Sequence, residues 1–213
     1  MITHLPKGAR QGVVFLHGRG GRAAEGQGLL AHVGLSDIAI AAPDAPGQSW
    51  WPTSFLAPAA QMRAPLHAAL DRVAEAVAAL RDAGLPPSAI WLLGFSQGAC
   101  LALEAYARRG EGLAGVFAFS GGLVGQEDRG TPDPALYGYA DKTLAYPGAR
   151  SGRAWLSVHQ RDPHIPLKRV EDSAAALRGM GAAVDLRVYP GAGHGILPED
   201  LHALRAALAP VGG

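Results

Sequence analysis

Apolar residues in this chain fall into short unbroken runs, separated by longer stretches in which they recur every third or fourth position. Gly12–Leu16 holds no polar side chain, and Ile38–Ala42 repeats the pattern. Such runs read as strands buried on both faces. Between them lie a glycine-rich turn at Gly18–Gly21 and a short helical pattern at Ala24–Val33, and Pro43 ends the second run. The spacing then predicts a helix over Ala64–Ala83, where Leu66, Leu70, Val73, Val77 and Leu80 make one apolar stripe. Gly84 followed by Pro86–Pro87 stops it.

The alternation continues. A strand is predicted over Ala89–Phe95, a helix over Gln97–Arg108 and a strand over Leu113–Phe119, followed by an irregular stretch from Gly121 to Gly152. Strand Ala154–Val158, helix Leu167–Met180, strand Ala183–Tyr189 and helix Glu199–Leu208 complete the series. Apolar strands alternating with helices define an α/β chain with a mostly parallel, doubly wound sheet covered on both faces. No linker-like change of composition divides it, so residues 1–213 read as a single domain without a large lid. Right-handed crossovers place the loops after the strands on one edge, where such sheets bind ligands.

Composition narrows the function classes. Nineteen basic residues against eighteen acidic ones give a net charge of +1, and no basic run exceeds two residues, so no nucleic-acid partner is expected. The lone cysteine, Cys100, cannot form an internal bridge, and one turn after a serine it reads as a small buried residue. The first ten residues carry no apolar segment behind a basic start, and no run is long enough to span a membrane. The expectation is a cytoplasmic protein with no membrane span.

Candidate chemistry concentrates on Gly94-Phe95-Ser96-Gln97-Gly98, a G-x-S-x-G match between a predicted strand and a predicted helix. A nucleophile elbow needs that context, because the sharp turn lifts the serine Oγ above the sheet edge. The bland alternative is that Ser96 only caps its helix. A serine hydroxyl also needs a base, and the base an orienting acid. Asp162 and His194 follow later predicted strands in the order Ser, Asp, His. Asp162 before Pro163 could be a turn aspartate, but Asp185 lies mid-strand and Asp172 inside a helix, so neither is a rival. His194, framed by glycines, has no helical or strand role, whereas His32, His67 and His202 fall in helices.

Oxyanion donors should come from the backbone N–H of Gln97 and from the loop Leu16-His17-Gly18-Arg19-Gly20-Gly21. That loop has a competing reading. Gly18, Gly20 and Ala23 satisfy the dinucleotide fingerprint, with Asp44 at the end of the next strand as a ribose acid. A nucleotide-dependent oxidoreductase and a non-catalytic binding protein on the same fold therefore stand beside the hydrolase reading. The hydrolase alone accounts for Ser96, Asp162, His194 and the glycine loop together. His159, Asp162 and His164 lack any recognised metal-ligand spacing, so no metal is expected.

Six segments together resemble the phospholipase/carboxylesterase family of α/β-hydrolases, which includes acyl-protein thioesterases: LHGRGG at 16–21, WWPTSFLAP at 50–58, LGFSQGA at 93–99, FSGGL at 119–123, DPHIP at 162–166 and YPGAGHGI at 189–196. The bacterial carboxylesterase type matches best. The resemblance implies a serine esterase without metal or organic cofactor; the Gly121–Gly152 stretch, too short for a substantial lid, points to small ester substrates, and a homodimer is left open. It maps the nucleophile onto Ser96, the acid onto Asp162, the base onto His194 and the oxyanion donors onto the N–H groups of Arg19 and Gln97. Trp50 and Trp51 either wall the substrate pocket or fill the core beneath their loop. Tyr137, Tyr139 and Tyr146 are placed to cover part of the site.

Overall fold

The computed structural model describes residues 2–209. In chain order the elements are β1 (Ile2–His4), β2 (Gly12–Leu16), α1 (Ala24–His32), β3 (Ala39–Ala41), α2 (Ala59–Asp82), β4 (Ile90–Phe95) and α3 (Gln97–Arg109). They continue with β5 (Gly115–Phe119), β6 (Asp128–Asp133), β7 (Tyr139–Lys142), β8 (Arg153–Arg161), α4 (Leu167–Gly179), β9 (Ala183–Ala192) and α5 (Pro198–Leu208). Seven strands form one sheet in the order β1-β3-β2-β4-β5-β8-β9, parallel except for β1. Alternate side chains of its inner strands go to opposite faces. Val14, Leu16, Leu92 and Val116 pack with α2, α3 and α4, while Val13, Phe15, Leu93 and Phe117 pack with α1 and α5. Both faces are covered, so these strands carry no polar stripe.

The predicted strands and helices all form, with shifted ends, and three differences have physical causes. Helix α2 begins at Ala59 instead of Ala64, because the Ala59 N–H donates to both carboxylate oxygens of Asp128, at 3.0 and 3.2 Å. Lys142 holds that carboxylate through a 2.6 Å ion pair and keeps it below the usual carboxylate range. The cap comes from 69 residues away and leaves no local signal. Asp128 and Lys142 belong to an antiparallel hairpin, β6–β7, inside the stretch predicted to be irregular. Its first strand, Asp-Arg-Gly-Thr-Pro-Asp, is almost wholly exposed and has no apolar alternation to announce it.

Strands β8 and β9 also run three residues past their apolar portions and stay paired through His159–Tyr189 and Arg161–Ala192. Pro190 is tolerated because β9 is an edge strand. The result matters for the site. Asp162 leaves the sheet directly at the end of β8, and His194 does so two residues after β9.

Candidate active site

The elbow forms because two glycines let the backbone close on itself. A Cβ at Gly94 would overlap the Gly98 carbonyl, and one at Gly98 would overlap the Leu16 carbonyl in β2. Between them Ser96 adopts φ +54° and ψ −120°, a strained conformation for any residue with a side chain. Its amide donates to the Phe119 carbonyl of β5 (2.9 Å), which ties the turn to the neighbouring strand. Ser96 occupies the N-cap position of α3 but makes no capping hydrogen bond, so the bland reading fails. Its Oγ lies 2.9 Å from Nε2 of His194.

The structure brings the three predicted side chains together across 98 and 32 residues of sequence. Nδ1 of His194 is 2.8 Å from Oδ2 of Asp162. The other oxygen, Oδ1, accepts the His164 and Ile165 amides at 2.8 and 3.0 Å. Asp162 is 1% exposed. Burial alone would raise its carboxyl, but the hydrogen bonds from His194 and from the two amides outweigh it and hold the group below the usual carboxylate range. An ionised Asp162 requires Nδ1 of His194 to carry the proton, which leaves Nε2 free to accept the Ser96 hydroxyl. Geometry and charge agree on that tautomer. The arrangement can take a proton from Ser96 and hold it on a ring whose positive charge faces a carboxylate.

Neighbouring groups fix the histidine and its loop. The ring packs between Phe95 (5.1 Å between centroids) and the edge of His164 (4.9 Å). Ser120, buried and at φ +52°, donates from Oγ to the Gly195 carbonyl. Asp200, also buried, accepts from Trp155, Tyr189 and the Leu197 amide, anchoring the start of α5 just beyond the histidine loop. Tyr137 donates to the Asp162 carbonyl and so stands beside the site. Tyr146 does not, because its hydroxyl is bound to Glu104 beneath α3, and Tyr139 packs against the core.

The Arg19 and Gln97 amides make no hydrogen bond among the described residues, and both residues line one cleft with Ser96 and His194. Sequence reasoning missed what orients the first of them. His17 is fully buried, and its Nε2 accepts from the Ala45 N–H at 3.0 Å. The proton therefore sits on Nδ1, which donates to the Gly18 carbonyl at 2.7 Å. In a trans peptide the carbonyl and the following N–H point in opposite directions. Pinning the Gly18 carbonyl against a buried ring turns the Arg19 N–H away from that ring. The available signal was a histidine wedged between a buried strand and the first loop glycine.

Trp50 and Trp51 divide the two roles considered for them. Trp51 lines the cleft. Trp50 does not: its indole stacks on His17 at 5.1 Å and donates from Nε1 to the His17 carbonyl at 2.9 Å, which holds it behind the glycine loop. Gln97 joins the two segments, with Oε1 accepting from the Trp50 amide (2.9 Å) and Nε2 donating to the Trp51 carbonyl (2.8 Å). These positions predict different phenotypes. Trp50→Phe should lower kcat by a similar factor, about tenfold, across a series of p-nitrophenyl esters, because it loosens the loop that carries the Arg19 amide. Trp51→Leu should instead alter the relative kcat/KM along the series by reshaping the cleft. Identical profiles for the two variants would contradict this division.

The cleft has a volume of about 580 Å³, with Trp51, Phe55, Phe95, Cys100 and Ile165 as apolar lining. Burial pushes the Cys100 thiol up to about 12, so it contributes bulk and no second nucleophile. No group of three His, Cys, Asp or Glu side chains among the described residues is placed to hold a metal ion. Asp44, the acid of the dinucleotide fingerprint, accepts the Ala23 N–H at 2.7 Å and so ties the residues just after the glycine loop to the chain just past β3.

A parallel sheet with a serine on a strained strand-to-helix turn, and an acid and a histidine off later strand ends, defines an α/β-hydrolase. The profile of the phospholipase/carboxylesterase family matches residues 2–130, and the chain belongs to that family. It is similar to a phospholipase/carboxylesterase from Dyadobacter fermentans, with 37% identity, a TM-score of 0.82, and coverage of 98% of this chain and 94% of that one. It is also similar to esterase PE8, at 25% identity and a TM-score of 0.73, covering 100% and 98% of the two chains. Acyl-protein thioesterase 1 of Gibberella zeae is 31% identical over 127 residues, 60% of this chain and 50% of that protein. The chain spans about half the length of the curated relatives it matches. Among the described residues no helix is long and apolar enough to cross a membrane.

Proposed function

We propose that the protein is a serine carboxylesterase that hydrolyses carboxylic esters through an acyl-enzyme, with Ser96 as nucleophile, His194 as base and Asp162 as its orienting acid. One observation carries the reading: a single imidazole holds a buried carboxylate on one nitrogen and the elbow hydroxyl on the other. In the first half-reaction Ser96 Oγ attacks the ester carbonyl carbon while Nε2 of His194 takes the hydroxyl proton. The negative charge moves to the carbonyl oxygen, facing the Arg19 and Gln97 amides, each worth about 3 kcal/mol if it donates as proposed. The imidazolium, stabilised by Asp162, returns its proton to the departing oxygen as the ester bond breaks. In the second half-reaction water loses a proton to Nε2 and attacks the acyl carbon. Collapse expels Oγ, which regains that proton, and the carboxylic acid leaves. Thioesters and lysophospholipids fit the same sequence of steps and are the next substrates to assay.

A fluorophosphonate tests the reading directly. The expected result is one covalent adduct, placed on Ser96 by peptide mass spectrometry, with loss of p-nitrophenyl butanoate turnover in proportion to labelling. An unlabelled protein, or an adduct on another serine, would overturn it.

A further inference from the structure

The charge lining the cleft is one-sided. Its lining includes Arg19, His164 and His194 but no aspartate or glutamate. Asp162, which is outside the lining, is buried behind His194, and its carboxylate already accepts three hydrogen bonds. The Arg19 guanidinium is exposed yet not left to wander. Nη2 donates to the Thr53 carbonyl at 2.7 Å and Nη1 to the Pro52 carbonyl at 3.3 Å, and both of those residues form the cleft wall. Carbonyls orient a guanidinium without neutralising it, and among the described residues no carboxylate lies within 4 Å of it. Two of its five N–H groups are used, which leaves donors for a planar partner. In the same lining His164 packs edge-on with His194 and adds a second polar ring.

Resting on the esterase reading, we infer that Arg19, assisted by His164, makes the cleft selective for esters that carry a carboxylate one side-chain length from the scissile carbonyl. The same residue then serves twice: its backbone N–H faces the developing oxyanion, and its side chain holds the remote anion. One permanent cation matches one negative charge, which favours a carboxylate over a dianionic phosphate monoester. A guanidinium fixed before binding loses less freedom on forming a forked pair than a loose one does.

The test compares carboxylates with uncharged carboxamides of the same size, on either side of the ester. Monomethyl succinate is set against methyl succinamate, and 4-carboxyphenyl butanoate against its 4-carbamoyl analogue. At an ionic strength of about 20 mM, kcat/KM for the carboxylate should exceed that of its partner about tenfold in at least one pair. The ratio should fall several-fold at about 0.5 M salt, since the pair is exposed and screened. Arg19→Met, which keeps the length of the stem, should bring the ratio to about one, with Arg19→Lys and His164→Gln between the extremes. If Arg19→Met does not fold, Arg19→Lys and the salt series on the parent protein still decide. A ratio at or below one in both pairs, or one that survives Arg19→Met, overturns the inference. If Ser96 is labelled by fluorophosphonate and the carboxamides are hydrolysed, that failure concerns selectivity alone. No labelling and no turnover would sink the esterase reading along with it.

Discussion

Ser96→Ala should fold as the parent does and lose turnover by about 10⁶-fold, the scale seen when the nucleophile is removed from a serine hydrolase triad. The substitution removes only an oxygen whose partner is His194, since Ser96 makes no helix-capping bond. Alanine inherits the same strained φ of +54°, so the melting temperature should stay within about a degree. Ser96→Gly separates strain from chemistry. It should be equally inactive but more stable: relief of about 1–3 kcal/mol of backbone strain exceeds the 0.5–1 kcal/mol that glycine costs in the unfolded chain. A net gain of about 1 kcal/mol corresponds to about 2–4 °C in Tm for a chain of this size. Thermal melts and ester hydrolysis on the same preparations check both halves. Appreciable turnover by either variant would remove Ser96 from the proposed mechanism.

Asp162→Asn is expected to leave the fold intact and to lower kcat by about 10⁴-fold. Asparagine keeps an oxygen for the His164 and Ile165 amides, which already fix Oδ1. Its amide group is then forced toward Nδ1 of His194, where the carboxylate oxygen stood. Two donors cannot face each other, so the histidine proton moves to Nε2 and the ring can no longer accept from Ser96. Circular dichroism should be unchanged while kcat collapses; a loss confined to KM would contradict the tautomer argument. The same residue gives a signature in acid. Its carboxyl titrates below the ordinary value when folded, so the stability it adds is complete above about pH 3.9 and drains away as pH falls through the folded value. The asparagine variant should lack that part of the acid slope.

How much of this was legible in the sequence depends on whether the cause was local. The elbow could be read because the conflict at Gly94, with the Gly98 carbonyl, is a property of strand, turn and helix in succession and G-x-S-x-G records it, although the second glycine, Gly98, answers to the distant Leu16 carbonyl of β2. The α2 stripe could be read because Leu66, Leu70, Val73 and Leu80 are all buried on one side of that helix. Its true start could not, since the cap at Ala59 lies in a distant hairpin that carries no apolar pattern. The adjacent tryptophans make the same point at the site. Nothing in Trp50-Trp51 says which indole meets substrate. The decision rests on the His17 carbonyl, 33 residues earlier, and on whichever ring can reach it. The placing of the Arg19 guanidinium was equally silent, because the two carbonyls that orient it are backbone atoms common to every residue type.

That borrowed cap on α2 also bears on how the molecule assembles. A 24-residue helix with its own stripe can propagate from its middle, but its first turn has no local partner for the Ala59 amide. Until Asp128 and Lys142 arrive, the Ala59 amide has only water to bond, and the first turn is held by the Gln61 and Met62 amides on the Pro58 carbonyl alone. The start of α2 and the β6–β7 ribbon are therefore tied through one carboxylate, and losing that tie should weaken the first turn of the helix before it touches the parallel sheet.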